Sequence, residues 1–96
     1  MISPLQDIDK PRVLYVDDEQ GNLLGFKALF RRDYEVFLAE TAQEGLDILR
    51  REDIQVLVTD QRMPEMSGTE LLGLVAEEYP EVLRFMLTGY SDYDPL

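Results

Sequence analysis

Three apolar, strand-like runs in this sequence each end at a residue suited to phosphate or metal chemistry. The runs and the residues that follow them are 12–16 with Asp17 and Asp18, 54–59 with Asp60, and 82–87 with Thr88. If the three runs are parallel strands of one sheet, their carboxyl ends lie along one edge, where open α/β sheets place their ligand sites. The pattern therefore predicts that three carboxylates and a hydroxyl group converge there.

The segments between these runs carry the signals of helices and of one more strand. Apolar spacing and β-forming residues predict helices at 21–32, 41–51 and 67–79, and a further strand at 34–39. In the first of these helices, Leu23, Phe26 and Phe30 are predicted to be core residues. The second and third helices begin with the capping-box patterns Thr41-Ala42-Gln43-Glu44 and Ser67-Gly68-Thr69-Glu70, and Pro80 ends the third. Strands that alternate with helices imply right-handed crossovers, so the sequence predicts an α/β fold with a parallel sheet.

The same elements set the expected domain organisation. Residues 1–11 contain two prolines and indicate a tail or linker. Residues 12–96 are enough for one domain but not for two, because domains cluster near ~100 to 150 residues. Strands one and three must be neighbours if the carboxylates that follow them share a cation, which gives a strand order of 2-1-3-4.

The composition narrows the chemistry of the chain to that of carboxylates. With 20 acidic and 9 basic residues the net charge is -11, which argues against a nucleic-acid partner because nucleic-acid binding relies on clustered lysine and arginine. The chain has no cysteine and no histidine, which excludes disulfides, thiolate ligands and histidine bases. No apolar run approaches the ~20 residues of a membrane span and no signal peptide is evident, so we expect a cytoplasmic protein that binds no membrane.

Three clustered carboxylates must hold a proton or a cation. Two such charges about 4 Å apart repel by ~1 kcal/mol in bulk water and ~4 kcal/mol where the effective dielectric is lower. An all-oxygen set selects a hard cation, and a few carboxylates with water and a phosphate oxygen suit Mg²⁺ better than Ca²⁺. Each residue alone also has a simpler explanation, Asp18 as a helix cap, Asp60 as a turn residue and Thr88 as a strand end. The combination of all three strand ends favours a Mg²⁺ site.

Three motifs in the sequence resemble the receiver domain of two-component response regulators. They are V-D-D-E at 16–19, T-D-Q-R-M-P-E-M-S-G at 59–68 and L-T-G-Y at 87–90, and the resemblance spans roughly residues 12–91. This resemblance implies a flavodoxin-like, doubly wound parallel sheet. It also implies a signal-transduction module that is regulated by phosphorylation and is not an enzyme acting on other substrates.

The resemblance implies a role for each site residue. Asp60 would accept a phosphoryl group from a sensor histidine kinase or a phosphotransfer protein. Mg²⁺ would be held by Asp60, by Asp18, by Asp17 through water, and by the backbone carbonyl of Arg62. Thr88 would hydrogen-bond the phosphoryl group and switch the conformation of its strand and loop. The expected partners also include an output domain in the full-length protein and a second copy in a homodimer.

One departure from the receiver pattern leaves other functions open. A full receiver has five strands and a lysine at the end of the fifth, whereas four strands are predicted here and the lysines, Lys10 and Lys27, end no strand. We therefore expect either a piece of a longer protein or a receiver-like interaction scaffold that is not phosphorylated. A Mg²⁺-dependent aspartyl phosphatase is a weaker alternative, because that class has D-x-D at the nucleophile and Arg62 takes the place of the second aspartate.

The fourth predicted strand has the composition of an internal strand. Residues 82–87 are apolar on both faces apart from Arg84, yet no following run pairs with the outer edge. Leaving such side chains in water forfeits ~1.5 to 3 kcal/mol each, and an open apolar edge invites pairing with another copy. We expect that the 96-residue chain is not a stable closed monomer.

Overall fold

The structure, a computed structural model, describes residues 10–87. Its strands and helices are β1 (Arg12–Val16), α1 (Gln20–Phe30), β2 (Glu35–Ala39), α2 (Ala42–Arg51), β3 (Val56–Asp60), α3 (Gly68–Glu78) and β4 (Leu83–Leu87). The four strands form one parallel sheet in the order β2-β1-β3-β4. The predicted α/β fold and strand order are therefore confirmed. Within residues 10–87, no helix has the length and apolar character needed to cross a membrane.

Strand β1 lies in the centre of the sheet and supplies both apolar cores. Leu14 and Val16 pack in one core with residues of α2 and α3, such as Leu49 and Leu71. Alternate residues of β1, Val13 and Tyr15, face the opposite side and pack with Leu23 of α1. Because successive side chains of a strand point to opposite faces, packing on both sides of the sheet buries β1 from Val13 to Val16.

Side chains at the helix starts explain where the helices begin. Thr41 accepts a hydrogen bond from the backbone N–H of Glu44 and caps α2. Ser67 and Glu70 form a reciprocal capping box at the start of α3. The backbone N–H of Ser67 donates a hydrogen bond to the Glu70 carboxylate, which lowers the pKa of Glu70. Helix α1 differs, because its capping position is Glu19 and no side chain caps it. Asp18 is therefore not the cap of this helix, and that simpler explanation for Asp18 is wrong.

Two of the predicted boundaries and part of the predicted core need correction. Asp60 is the last residue of β3 and not the first residue after it, because it stays in register with Leu87 of β4. Helix α1 ends at Phe30, and of the expected core residues Leu23, Phe26 and Phe30 only Leu23 is fully buried. Phe30 is exposed because it lies at the rim of an open apolar face of the sheet.

This open apolar face is formed by α1, β1, β3 and β4. It encloses a groove of about 860 Å³ whose floor includes Val13, Tyr15 and Val58. On its β4 side, Leu83 is 60% exposed, Phe85 53% and Leu87 47%. Residues 10–87 thus leave apolar side chains of β4 in contact with solvent.

We expect the 96-residue chain to self-associate through the β4 face. In sedimentation experiments its average mass should exceed that of a monomer, and the double variant Leu83→Thr/Phe85→Thr should lower that mass because it removes apolar surface. Leu24→Thr is the matched control, since Leu24 is 65% exposed on α1 but does not line the groove. A compact wild-type monomer whose β4 amides are strongly protected from exchange would contradict the prediction.

Candidate metal centre

The three predicted carboxylates come together at the carboxyl edge of the sheet. Asp17 and Asp18 follow β1, and Asp60 ends the adjacent strand β3. Each of the three offers an oxygen atom, and these oxygens all lie within 4.8 Å of one another. The register that pairs Val16 with Thr59 produces this proximity, because it aligns the ends of the two strands.

Asp17 is the deepest of the three carboxylates and is held by donors from the protein. Its side chain is 1% exposed. The Tyr15 hydroxyl donates to Oδ2 at 2.6 Å, the Asn22 amide donates to the same oxygen at 3.0 Å, and the backbone N–H of Glu19 donates to Oδ1 at 2.9 Å. These bonds satisfy a carboxylate that burial would otherwise destabilise.

Tyr15 remains a hydrogen-bond donor in this arrangement. Burial raises the pKa of its phenol, and the hydrogen bond to Asp17 and the negative charges of Asp17 and Asp60 raise that pKa further. The phenol is therefore protonated at neutral pH. Its ring stacks on Phe26 with the centroids 4.4 Å apart, which fixes the direction of the hydroxyl.

Asp60 and Asp18 are more exposed to solvent than Asp17. Asp60 is half-buried and Asp18 is exposed. Asp18 also lines an open cleft of about 590 Å³, together with Gln61, Arg62, Met63, Pro64 and Ser67. The carboxylate cluster is therefore closed on the Asp17 side and accessible on the Asp18 side, where a solute could reach it.

The loop after β3 is fastened to the end of that strand. The Gly68 N–H donates to the carbonyl of Gln61 at 2.9 Å, and a Cβ atom at position 68 would lie only 2.3 Å from the carbonyl oxygen of Asp60. The side-chain oxygen of Gln61 accepts from both the N–H and the hydroxyl of Thr69, each at 2.9 Å. The start of α3 and the carboxyl end of β3 therefore form one rigid unit.

The same loop contains a tight turn next to residues that line the cleft. The Met66 N–H donates to the carbonyl of Pro64 at 2.7 Å, and Glu65 between them has a φ of 71°. Residues other than glycine seldom adopt this conformation, so the flanking contacts must hold it.

The donor set fits the predicted cation. All the candidate side-chain ligands are carboxylates, which are the oxygen ligands that hard divalent cations prefer. Like charges at this separation also repel each other unless a cation or proton lies between them. Of the other predicted site residues, Arg62 lies at the cleft with its side chain exposed. Thr88 lies outside the described residues and directly follows Leu87 in the sequence.

Sequence reasoning did not identify three residues that shape the site. Tyr15 and Asn22 hold Asp17, and Gln61 joins the loop to α3. A signal for Tyr15 was present, because residues two apart on a strand point to the same side and Tyr15 precedes Asp17 by two. The contacts of Asn22 and Gln61 depend on side-chain conformations that the sequence pattern does not specify.

Comparison with known proteins identifies the family of this chain. Residues 13–95 match the family described as the response regulator receiver domain. The hydrogenase transcriptional regulatory protein HoxA of Cupriavidus necator is 33% identical over 84 residues, which cover 88% of this chain and 17% of HoxA. The chain spans less than a fifth of the length of the curated relatives it matches.

Two solved structures resemble the chain in both fold and sequence. A response regulator receiver domain protein of Clostridium thermocellum superposes with a TM-score of 0.79 and 34% identity, over 85% of this chain and 68% of that one. A CheY-like receiver domain protein of Methanospirillum hungatei superposes with a TM-score of 0.81 and 36% identity, over 85% of this chain and 66% of that one. The chain therefore belongs to the response regulator receiver domain family.

Proposed function

We propose that this chain is a phosphoacceptor module in which Asp60 receives a phosphoryl group from a sensor histidine kinase or a phosphotransfer protein. The observation that carries the proposal is the position of Asp60, whose carboxylate ends β3 within reach of the Asp17 and Asp18 carboxylates. A nucleophilic carboxylate in such a cluster needs a cation beside it, and the cleft next to Asp18 gives a phosphodonor access.

The proposed metal ligands are the side chains of Asp18 and Asp60 and the backbone carbonyl of Arg62, with Asp17 acting through water. The burial of Asp17 and its three donors support this division, because little of its carboxylate is left to face the site. Mg²⁺ bound there would neutralise the charge on the transferring phosphoryl oxygens.

The proposed transfer of the phosphoryl group from phosphohistidine to Asp60 needs no reactant other than a proton from solvent. One Asp60 oxygen forms a bond to phosphorus as the phosphorus–nitrogen bond breaks. The electron pair of that bond returns to the imidazole nitrogen, which takes a proton from solvent. The contribution of the chain is to position the nucleophile, and the close backbone approach of Gly68 to the end of β3 supports that role.

Thr88, Arg62 and an output domain would respond to the phosphoryl group on Asp60. Thr88 would hydrogen-bond the new phosphoryl oxygens and shift its strand and loop, and Arg62 at the mouth of the cleft would influence how long the phosphoryl group lasts. The proposed setting is a cytoplasmic protein with an output domain. The full name of HoxA describes that relative as a transcriptional regulatory protein, which is consistent with an output domain beyond the shared segment.

Phosphorylation from a small donor tests this proposal. In protein expressed from the complete reading frame, phosphoramidate should label Asp60 only when Mg²⁺ is present, and Asp60→Asn should abolish the label. Asp53→Asn is the matched control, because its side chain is 90% exposed and lies away from the cluster, near Arg12. An acid-stable label on serine or threonine in the Asp60→Asn variant would refute the assignment. Intact Mg²⁺ binding with no label on the wild type would favour the interaction scaffold.

A further inference from the structure

We propose that the Tyr15 hydroxyl group is a positioning group that determines which oxygen of Asp17 faces the metal site. The inference rests on the proposed function, because it assigns to Asp17 an indirect role beside Mg²⁺. It adds a residue of β1 whose hydroxyl would act on the site only through Asp17.

The hydrogen bonds around Asp17 distinguish its two oxygens. Oδ2 accepts from the Tyr15 hydroxyl at 2.6 Å and from the Asn22 amide at 3.0 Å. A carboxylate oxygen has two lone pairs, so these donors occupy Oδ2. Among residues 10–87, Oδ1 accepts one hydrogen bond, from the Glu19 N–H at 2.9 Å, and keeps a second lone pair.

This difference restricts how Asp17 can contribute to a cation site. Direct ligation through Oδ2 would break two hydrogen bonds to a charged group that is 1% exposed, which is costly. Contact through the remaining lone pair of Oδ1 breaks none of them. Tyr15 and Asn22 therefore fix the orientation of the carboxylate and leave one oxygen for a water molecule of the metal shell.

The packing of the Tyr15 ring holds its hydroxyl group in a fixed position. The ring is 4% exposed, it stacks on Phe26, and it belongs to the core that includes Val13 and Leu23. Phenylalanine would fill the same space without the hydroxyl. The substitution Tyr15→Phe therefore separates the packing of the ring from the hydrogen bond.

Mg²⁺ affinity is the measurement that tests the inference. In protein expressed from the complete reading frame, Tyr15→Phe should weaken Mg²⁺ binding about tenfold by calorimetric titration, as loss of an outer-shell partner does. Asn22→Ala, which removes the second donor to Oδ2, should act in the same direction. Tyr34→Phe is the matched control. The rings of Tyr15, Phe26, Phe30 and Tyr34 contact one another in that order, so Tyr34 packs against Phe30 at the end of the row away from Asp17. A purely structural role for Tyr15 predicts lower thermal stability with unchanged affinity.

A double-variant cycle determines whether Tyr15 acts through Asp17. In the Asp17→Asn background, Tyr15→Phe should cause no further loss of Mg²⁺ affinity. A full tenfold loss there, or an affinity within twofold of the wild type for Tyr15→Phe alone, would overturn the inference and leave the phosphoacceptor proposal intact. The predicted affinity loss in a protein that phosphoramidate does not label would support the inference and refute the phosphoacceptor proposal. A wild type that binds no Mg²⁺ would refute both.

Discussion

Gly68→Ala should lower the free energy of unfolding by about 3 kcal/mol, at the upper end of the usual cost of overpacking. The new methyl group would lie 2.3 Å from the carbonyl oxygen of Asp60 and 3.0 Å from the Cα of Gln61. Backbone atoms cannot rotate away as a flexible side chain can, so β3 and the start of α3 must separate. Urea unfolding monitored by circular dichroism measures the change, and phosphoramidate labelling of Asp60 should fall with it.

Gly73→Ala in the same helix provides the control for Gly68→Ala. A Cβ atom at Gly73 meets no atom within 4 Å, so the substitution should raise the unfolding free energy by about 1 kcal/mol through helix propensity alone. Opposite signs for the two variants would show that the contact at Gly68 is responsible. Equal stability of the Gly68→Ala variant and the wild type would show that the loop can yield and that the close approach is not required.

Asp60→Asn should stabilise the protein in the absence of divalent cations by about 2 kcal/mol. The substitution removes one of three clustered negative charges, and a pair of such charges repels by ~1 kcal/mol in water and ~4 kcal/mol at a lower effective dielectric. Mg²⁺ should make the wild type more stable than Asp60→Asn. A ligand that binds only the folded state, at a concentration of 100 times its Kd, adds about 2.7 kcal/mol to the free energy of unfolding of the wild type. Urea unfolding in EDTA and in Mg²⁺ measures both effects.

The exposed residue Asp53 again provides the matched comparison for this charge effect. Asp53→Asn removes the same formal charge, but Asp53 is exposed and its carboxylate lies 4.0 Å from the Arg12 guanidinium. The effect of Asp53→Asn on the free energy of unfolding should therefore be small, and the same with or without Mg²⁺. A wild type that is no less stable than Asp60→Asn in EDTA would mean that the cluster is already neutralised, by a proton or by the protein itself.

The fold could be predicted from the sequence because its determinants are local or periodic. Apolar runs fixed the strands, capping patterns at Thr41 and Ser67 marked two helix starts, and the crossover rule fixed the parallel sheet. The meeting of Asp17, Asp18 and Asp60 then followed from the position of each at a strand end. These features needed no knowledge of side-chain conformation.

The remaining features depend on strand register, on close backbone approach and on side-chain conformation. Asp60 belongs to β3 because of its register with Leu87, which no local pattern encodes. Gly68 is confined by the carbonyl of Asp60, and the donors to Asp17 come from both a strand and a helix. The exposure of Phe30 reflects the open apolar face beside it, whereas its helical spacing predicted a core position.

The central position of β1 has a consequence for the order in which the chain assembles. Strand β2 pairs with β1 after one connecting helix, whereas β3 reaches β1 only after α1, β2 and α2 have been laid down. Longer loops cost more entropy to close, so we expect the β1–α1–β2 unit to form first. Docking of β3 then brings Asp60 against Asp17 and Asp18, and charge repulsion opposes that step. We therefore expect the carboxylate cluster to form late in folding, in a step whose rate should rise as the carboxylates are neutralised.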